Sequence, residues 1–563
     1  MKEMQGFPQP LGVTITKECV NFSVQVPFGK TCDLLLYKNG EKEPAFVCSM
    51  PETQSIGEVR FLALSGFEPK EYGYHYAIDG RQCLDPYVKE LTKRQTFGGA
   101  FSLESGDVVG KVAVLPYDWE GDKPLQIPKQ EVIAYSLHVR GFTKHSSSKV
   151  KQKGTFYGIV EKLAYLKELG INQIQCMPVY EFLERNGDKV NYWGYGQGFY
   201  FAPKATYSAD ISPVKELKDM VKACHKMGIE VVLEMPFTAD VLPQTALECL
   251  KYYLLEFHID GFILNPYVTP LAGIQNEPLL KGCKILYKDD EMQNVLRRFL
   301  KGDEAMIDEM MRVLVFCNQR DGKFHYISNQ TGFTLKDLVS YDGKHNERNG
   351  EQNQDGPVYN YSWNCGAEGP SRKRGVLKLR KQQLRNAFFL LLTSQGMPCI
   401  LAGDEFENSQ KGNNNVYCQD NETAWLDWNQ LKKDDSLFFF VKDLIALRKS
   451  LTCLRQSGEL KGLDDTGSGF PDVSFHGENA WQSPNETASR QLGILYYDDE
   501  APCFIAYNMH WIRHTFALPT LPKKKKYYVV ADTMQGVFAK PVKLEAQKKL
   551  ELLPRCIMIL IGK

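Results

Sequence analysis

Apolar and polar positions follow three different rhythms along this chain. Up to about Asp118, NFSVQV, CDLLLYK and EYGYHYAIDG alternate or are β-branched and aromatic, with Gly/Pro/Lys turns between them. That pattern predicts an all-β module over residues 1–118. A Pro-rich connector, LPYDWEGDKPLQIPKQ, follows, and from Glu131 short apolar runs are separated by helix-period stretches. The strand candidates are VIAYSLHV, INQIQCMPV, GIEVVLEMPF, GFILNPY, CKILYKDD, KFHYISNQ and PCILAGDEF. GIVEKLAYLKELG and PVKELKDMVKACHKMG between them read as helices, each closed by a C-terminal Gly. Strands apolar on both faces that alternate with helices predict a parallel sheet covered on both sides. Over 131–450 the natural form is a (β/α)8 barrel. After KILYKDDEM the chain runs straight into QNVLRRFLKGDE, so the barrel is expected to be irregular near its sixth strand. From about Ser474 the β rhythm returns in QLGILYYD, PCFIAYNMHW, HTFALP, YYVVAD and CIMILIGK, predicting a C-terminal antiparallel β-sandwich over 474–563.

Composition narrows the partners. A chain of 563 residues exceeds one core, and 43% hydrophobic with 24% charged residues is ordinary for globular proteins. Lys+Arg 68 balances Asp+Glu 68, which favours neither nucleic acid nor an anionic membrane. Neutral charge with 12% aromatic residues suits an uncharged ligand such as a polysaccharide. MKEMQGFPQPLG lacks the basic start and apolar stretch of a signal peptide, and no apolar run reaches about 18 residues. The 15 cysteines are scattered with no CxxC pair, which reads as reduced thiols in a cytoplasmic protein. Metal-ligand spacing is absent, and no cofactor is implied. Lys523–Lys526 form a basic run that reads as a solvated turn.

Longer motifs carry a resemblance. NYWGYGQGFYFAPKATYSA, SYDGKHNERNGE, SWNCGAEGP and LAGDEFENSQKGNNNVYCQDNETAWLDW resemble the isoamylase and bacterial glycogen-debranching branch of glycoside hydrolase family 13. GFPQPLGVTITKECVNFSVQVP resembles the opening of a family 48 carbohydrate-binding module, although the first Trp of the chain is Trp119. The resemblance runs from roughly Gly6 to the C-terminus. It implies a (β/α)8 barrel flanked by two β-sandwich modules, with α-1,6 debranching of glycogen or starch as the family activity.

Retaining glycoside hydrolysis needs a nucleophilic carboxylate about 5–5.5 Å from a protonated one. At the position of the family's nucleophile this chain has Asn265, with Ile263 in place of the partner Arg. Lys288 stands for the general acid, and Gln330 and Thr331 for the His-Asp pair. After the third strand, Glu234, Thr238 and Ala239 stand for Asp, Asn and His. An amide is a poor nucleophile, and an ammonium with a reference pKa near 10.4 is too weak an acid. Asp290, Glu234, Asp240 and Glu291 are candidate relocated carboxylates; Asp290 would face the side of Lys288 on a continuing strand.

Tyr195 matches the family aromatic that stacks on sugar, and Trp193 accompanies it. GNNNVYCQDNE offers amides suited to hydroxyls or to a structural loop, while His138, Arg140 and His345 read as buried, hydrogen-bonded framework residues. The leading expectation is a non-catalytic debranching-enzyme homologue that binds α-glucan, assists an active debranching enzyme, or does both. Plant isoamylases include such an inactive member, which works in a hetero-oligomer. The alternatives are an active α-1,6-glucosidase with relocated carboxylates and a protein-interaction scaffold without glucan affinity.

Overall fold

In a computed structural model of the chain, six apolar runs of the middle section form one parallel sheet. The described residues are 1–92, 96–99, 108–209, 212–315, 322–465, 467–498, 500–522 and 524–563. The strands are β1 (Ala134–Leu137), β2 (Gln173–Cys176), β3 (Glu230–Met235), β4 (Gly261–Leu264), β5 (Lys284–Leu286) and β6 (Cys399–Leu401). Their order is β5-β4-β3-β2-β1-β6. The sheet closes through KFHYISNQ, which is no regular strand but bridges both edges. Lys323 pairs in parallel with Tyr287 beyond β5, and His325 with Pro398 before β6.

This is the (β/α)8 class of barrel with a departure at its sixth position. After β5 the helix α3 (Asp290–Lys301) is followed by another helix, α4 (Ile307–Val315), with no strand between them among the described residues. The fifth strand therefore meets the seventh-strand segment directly. Gly322 makes the approach possible: it sits at φ +76°, and a Cβ there would collide with the carbonyl oxygen of Ile285. The narrowed lumen is filled by Val232, Ile263, Leu286, Phe324 and Tyr326.

Capping explains the helices. Pro213–Lys226 starts on Ser212, whose hydroxyl accepts from Lys215 N, and Gly228 follows its end at φ +68°. GIVEKLAYLKELG breaks into Phe156–Val160 and Leu163–Leu169, the latter closed by Gly170 at φ +100°. Asp289 caps α3 by accepting from Glu291 N at 3.0 Å.

Before the barrel, two antiparallel sheets pack Phe22, Leu62 and Leu64 of one against Leu34, Leu36 and Tyr76 of the other. After it, a six-stranded antiparallel sheet and the pair His514–Ala517/Lys549–Leu552 enclose Phe504, Phe516, Leu550 and Leu560. Lys523 of the basic run lies outside the described residues; Lys524 sits in a turn at φ +59°. No helix among the described residues is long and apolar enough to cross a membrane.

Candidate functional site

Strands of a parallel barrel deliver their last side chains to one rim. At the end of β3 that side chain is Glu234, which is 8% exposed. Its carboxylate accepts from Lys288 Nζ at 2.6 Å, Tyr195 Oη at 2.8 Å and Gln330 Nε2 at 3.0 Å. Gln330 Nε2 also donates to Tyr195 Oη at 2.9 Å, which closes the ring of contacts. Burial, then the Glu234 charge, pushes the Tyr195 phenol well above its usual value, so it remains a donor. The two family positions expected to hold a general acid and part of the His-Asp pair, Lys288 and Gln330, are thus turned onto one carboxylate. Lys288 neutralises Glu234 and donates its own hydrogen bonds inward.

The residue expected at the nucleophile position lies elsewhere. Asn265 is exposed, and its Oδ1 accepts from Tyr267 N at 3.0 Å, folding the side chain into its own loop. Ile263 is 4% exposed and belongs to the lumen core. Thr331 donates through both its N and its hydroxyl to Asn329 Oδ1. Thr238 meets Tyr200 Oη at 3.3 Å, and Ala239 is exposed. The cavity at the strand ends, lined by His138, Met177, Trp193 and Gln330 among others, holds about 50 Å3. That admits water and falls far below the roughly 300–1,000 Å3 of small-molecule sites.

The relocated carboxylates disperse. Asp290 does not continue β5: that strand ends at Leu286, and Asp290 opens α3, where it accepts from Tyr326 Oη at 2.8 Å. The same-face expectation for Lys288 and Asp290 therefore fails, because the chain turns into a helix at the Asp289 cap. Glu291 pairs with Arg312, and Asp240 lies 3.4 Å from Gln197 Nε2.

Two carboxylates that sequence reading passed over are buried just beyond β6. Asp404 accepts from Ser328 and from Leu335 N, and burial pushes it up to about 7. Glu405 accepts from Tyr135 at 2.8 Å and Tyr165 at 2.5 Å. Both are tied into the framework. The GDEF run after an apolar strand is the signal that could have found them.

Of the two aromatic candidates, Trp193 is only 5% exposed and packs edge-on to Tyr195 at 5.7 Å, so its indole is not an open stacking face. Tyr195 keeps part of its surface exposed while its hydroxyl is engaged. His138 is half-buried, receives Gly141 N at 3.0 Å, contacts Tyr192 O at 2.8 Å and is pushed down to about 4 by desolvation. Arg140 grips Asp420 through two nitrogens at 2.7 and 2.8 Å. His345 departs from the buried role expected of it: its side chain is 42% exposed, 3.3 Å from Glu368. The asparagines of GNNNVYCQDNE bond to loop amides, Asn414 to Asn360 and Asn413 to Asn349, and so hold loops together.

Comparisons with known proteins assign the class. The family model described as "Alpha amylase, catalytic domain" matches residues 139–238, which ends at the third-strand loop. The fold is shared with pullulanases. The pullulanase from Bacillus acidopullulyticus superposes with a TM-score of 0.76 at 18% identity, covering 98% of this chain and 75% of that one. Pullulanase type I from Bacillus subtilis strain 168, solved with maltose, gives 0.73 at 17%, covering 99% and 86%.

Closer in sequence is chloroplastic isoamylase 1 of Arabidopsis thaliana, 30% identical over 92% of this chain and 83% of that protein. A glycogen operon protein GlgX homologue of Mycobacterium tuberculosis is 28% identical over 81% and 80%. The chain belongs to the isoamylase family of α-glucan debranching proteins. The isoamylase 1 alignment spans 665 positions, more than the 563 residues of this chain, so that relative carries insertions absent here.

Proposed function

We propose that this protein is a non-catalytic member of the debranching family that binds α-glucan and assists an active debranching enzyme. One observation carries the loss of hydrolysis: Lys288, Gln330 and Tyr195 all converge on Glu234, while Asn265 faces its own loop. A glycosyl-enzyme ester needs a nucleophile and a second carboxyl poised across the scissile bond. Here the buried carboxylate is paired with a cation. The dispersal of Asp290, Glu291 and Asp240 argues against relocated chemistry. Support for glucan as the ligand comes from family membership and from relatives whose structures were solved with maltose or maltotetraose.

The test is release of reducing ends from glycogen and amylopectin, run beside an active isoamylase. The purified protein is expected to show none, because losing nucleophile and acid together removes an acceleration of many powers of ten. Asn265→Asp alone is expected to remain inactive, since Lys288 and Ile263 are unchanged. Turnover that survives repurification and disappears on Asp290→Asn would overturn the proposal.

A further inference from the structure

A second, larger opening lies where the first β-module meets the barrel rim. It is a groove of about 480 Å3, with Gln25 and Tyr87 on one side and Phe199, Gln197 and the turn Thr238–Leu242 on the other. Its floor is fixed. The Tyr87 ring lies 5.0 Å from that of Phe201, and Tyr87 Oη is 3.0 Å from the Thr245 hydroxyl. The walls are apolar and in part open to solvent: Leu183 is 42% exposed, Leu242 59%, and Phe199 and Tyr87 are half-buried. Gln25, Gln197 and Asp240 are exposed at its edge, with Gln197 Nε2 3.4 Å from Asp240 Oδ2. No lining side chain is cationic.

We propose that this groove, rather than the barrel mouth, is where the protein binds a neutral α-glucan chain. The proposal rests on the glucan-binding reading above and gives it a place. A sugar ring presents C–H faces to aromatic and aliphatic walls and hydroxyls to amides and carboxylates, and this groove supplies both. The absence of a cation disfavours phosphates and anionic polymers, which need charge-assisted donors. At about 480 Å3 the groove lies within the range of small-molecule sites. The connection from β3 to the next helix, Pro243–Phe257, is only residues 236–242, and it forms one wall of the groove.

The experiment is affinity electrophoresis of the full chain in glycogen gels, with maltoheptaose calorimetry in parallel. Leu242→Arg combined with Gln197→Ala changes two exposed groove residues, and an unchanged thermal midpoint verifies the fold. Glycogen is expected to retard the wild type, and the double variant to lose about tenfold or more of its affinity for both ligands. Wild-type binding that the double variant retains in full would overturn the groove assignment and leave the glucan-binding reading standing. No wild-type binding would overturn both. Equal retardation by polygalacturonate would overturn the neutral-ligand assignment alone.

Discussion

Lys288 and Glu234 are each unremarkable at the ends of β5 and β3, yet together they form an ion pair with side chains 25% and 10% exposed. Removing one partner of a buried pair leaves the other charge without compensation, whereas removing both can be neutral. Lys288→Met is therefore expected to cost about 1–3 kcal/mol, discounted for the exposure of the lysine. Lys288→Met with Glu234→Leu should recover most of the loss, and urea unfolding of the four-member cycle measures the coupling. Additive costs would mean that the two side chains do not sustain one another. The residues at the expected catalytic positions can be read from the sequence, because each stands inside a long recognisable motif. Their mutual pairing was not, since strand ends about fifty residues apart meet only through the sheet order β5-β4-β3. Trp193 shows a related limit: a motif fixes which ring is present but not whether neighbours cover it. His138 offers a pH test at the same scale. Burial pushes it down to about 4, while in the unfolded chain it titrates near 6.5. Between those values the unfolded chain binds the extra proton, so stability rises with pH and is lost as pH falls from about 6.5 to about 4. His138→Gln should be less stable at pH 7 yet lose up to roughly 3 kcal/mol less across that window, read from urea midpoints. Parallel profiles would show that His138 does not stay neutral in the fold.

At the scale of elements, the barrel strands were legible wherever an apolar run ended in turn residues. The seventh was the exception. KFHYISNQ has the alternation of a strand, but with its neighbour missing it pairs only through isolated bridges. That no sixth strand forms among the described residues was foreshadowed by a shortage of chain after KILYKDDEM; how the barrel would close was not, because closure depends on Gly322 and on contacts across the gap. Asp289 spans that gap. It caps α3 through Glu291 N and forms an ion pair with Lys323 Nζ at 2.5 Å, joining the end of β5 to the seventh-strand segment. Asp289→Ala loses both and is expected to cost about 1–2 kcal/mol. Asp289→Asn keeps an acceptor for the cap and should cost less than half as much. Urea midpoints at constant m-value would show this; equal costs would mean that the cap contributes nothing and that the ion pair carries the whole loss.

For the whole molecule, an exposed groove beside the rim of a family barrel fits a protein that acts by holding polymer. Glycogen offers many chain segments on one particle. A complex of this protein with an active debranching enzyme would therefore engage one particle at two places, and the second contact becomes intramolecular. Zero net charge means that long-range attraction does little to bring the two proteins together. The complex should therefore persist as salt rises, since screening weakens only exposed charge pairs. The expected outcome is a lower half-saturating glycogen concentration for the active enzyme when this protein is added, at both low and moderate salt. A short branched oligosaccharide should show no such gain, because it cannot occupy both sites at once. Rate measurements on the two substrates decide the matter. An equal gain on the short substrate would point to direct activation of the partner, and no gain on glycogen would mean that glucan binding here serves the chain alone.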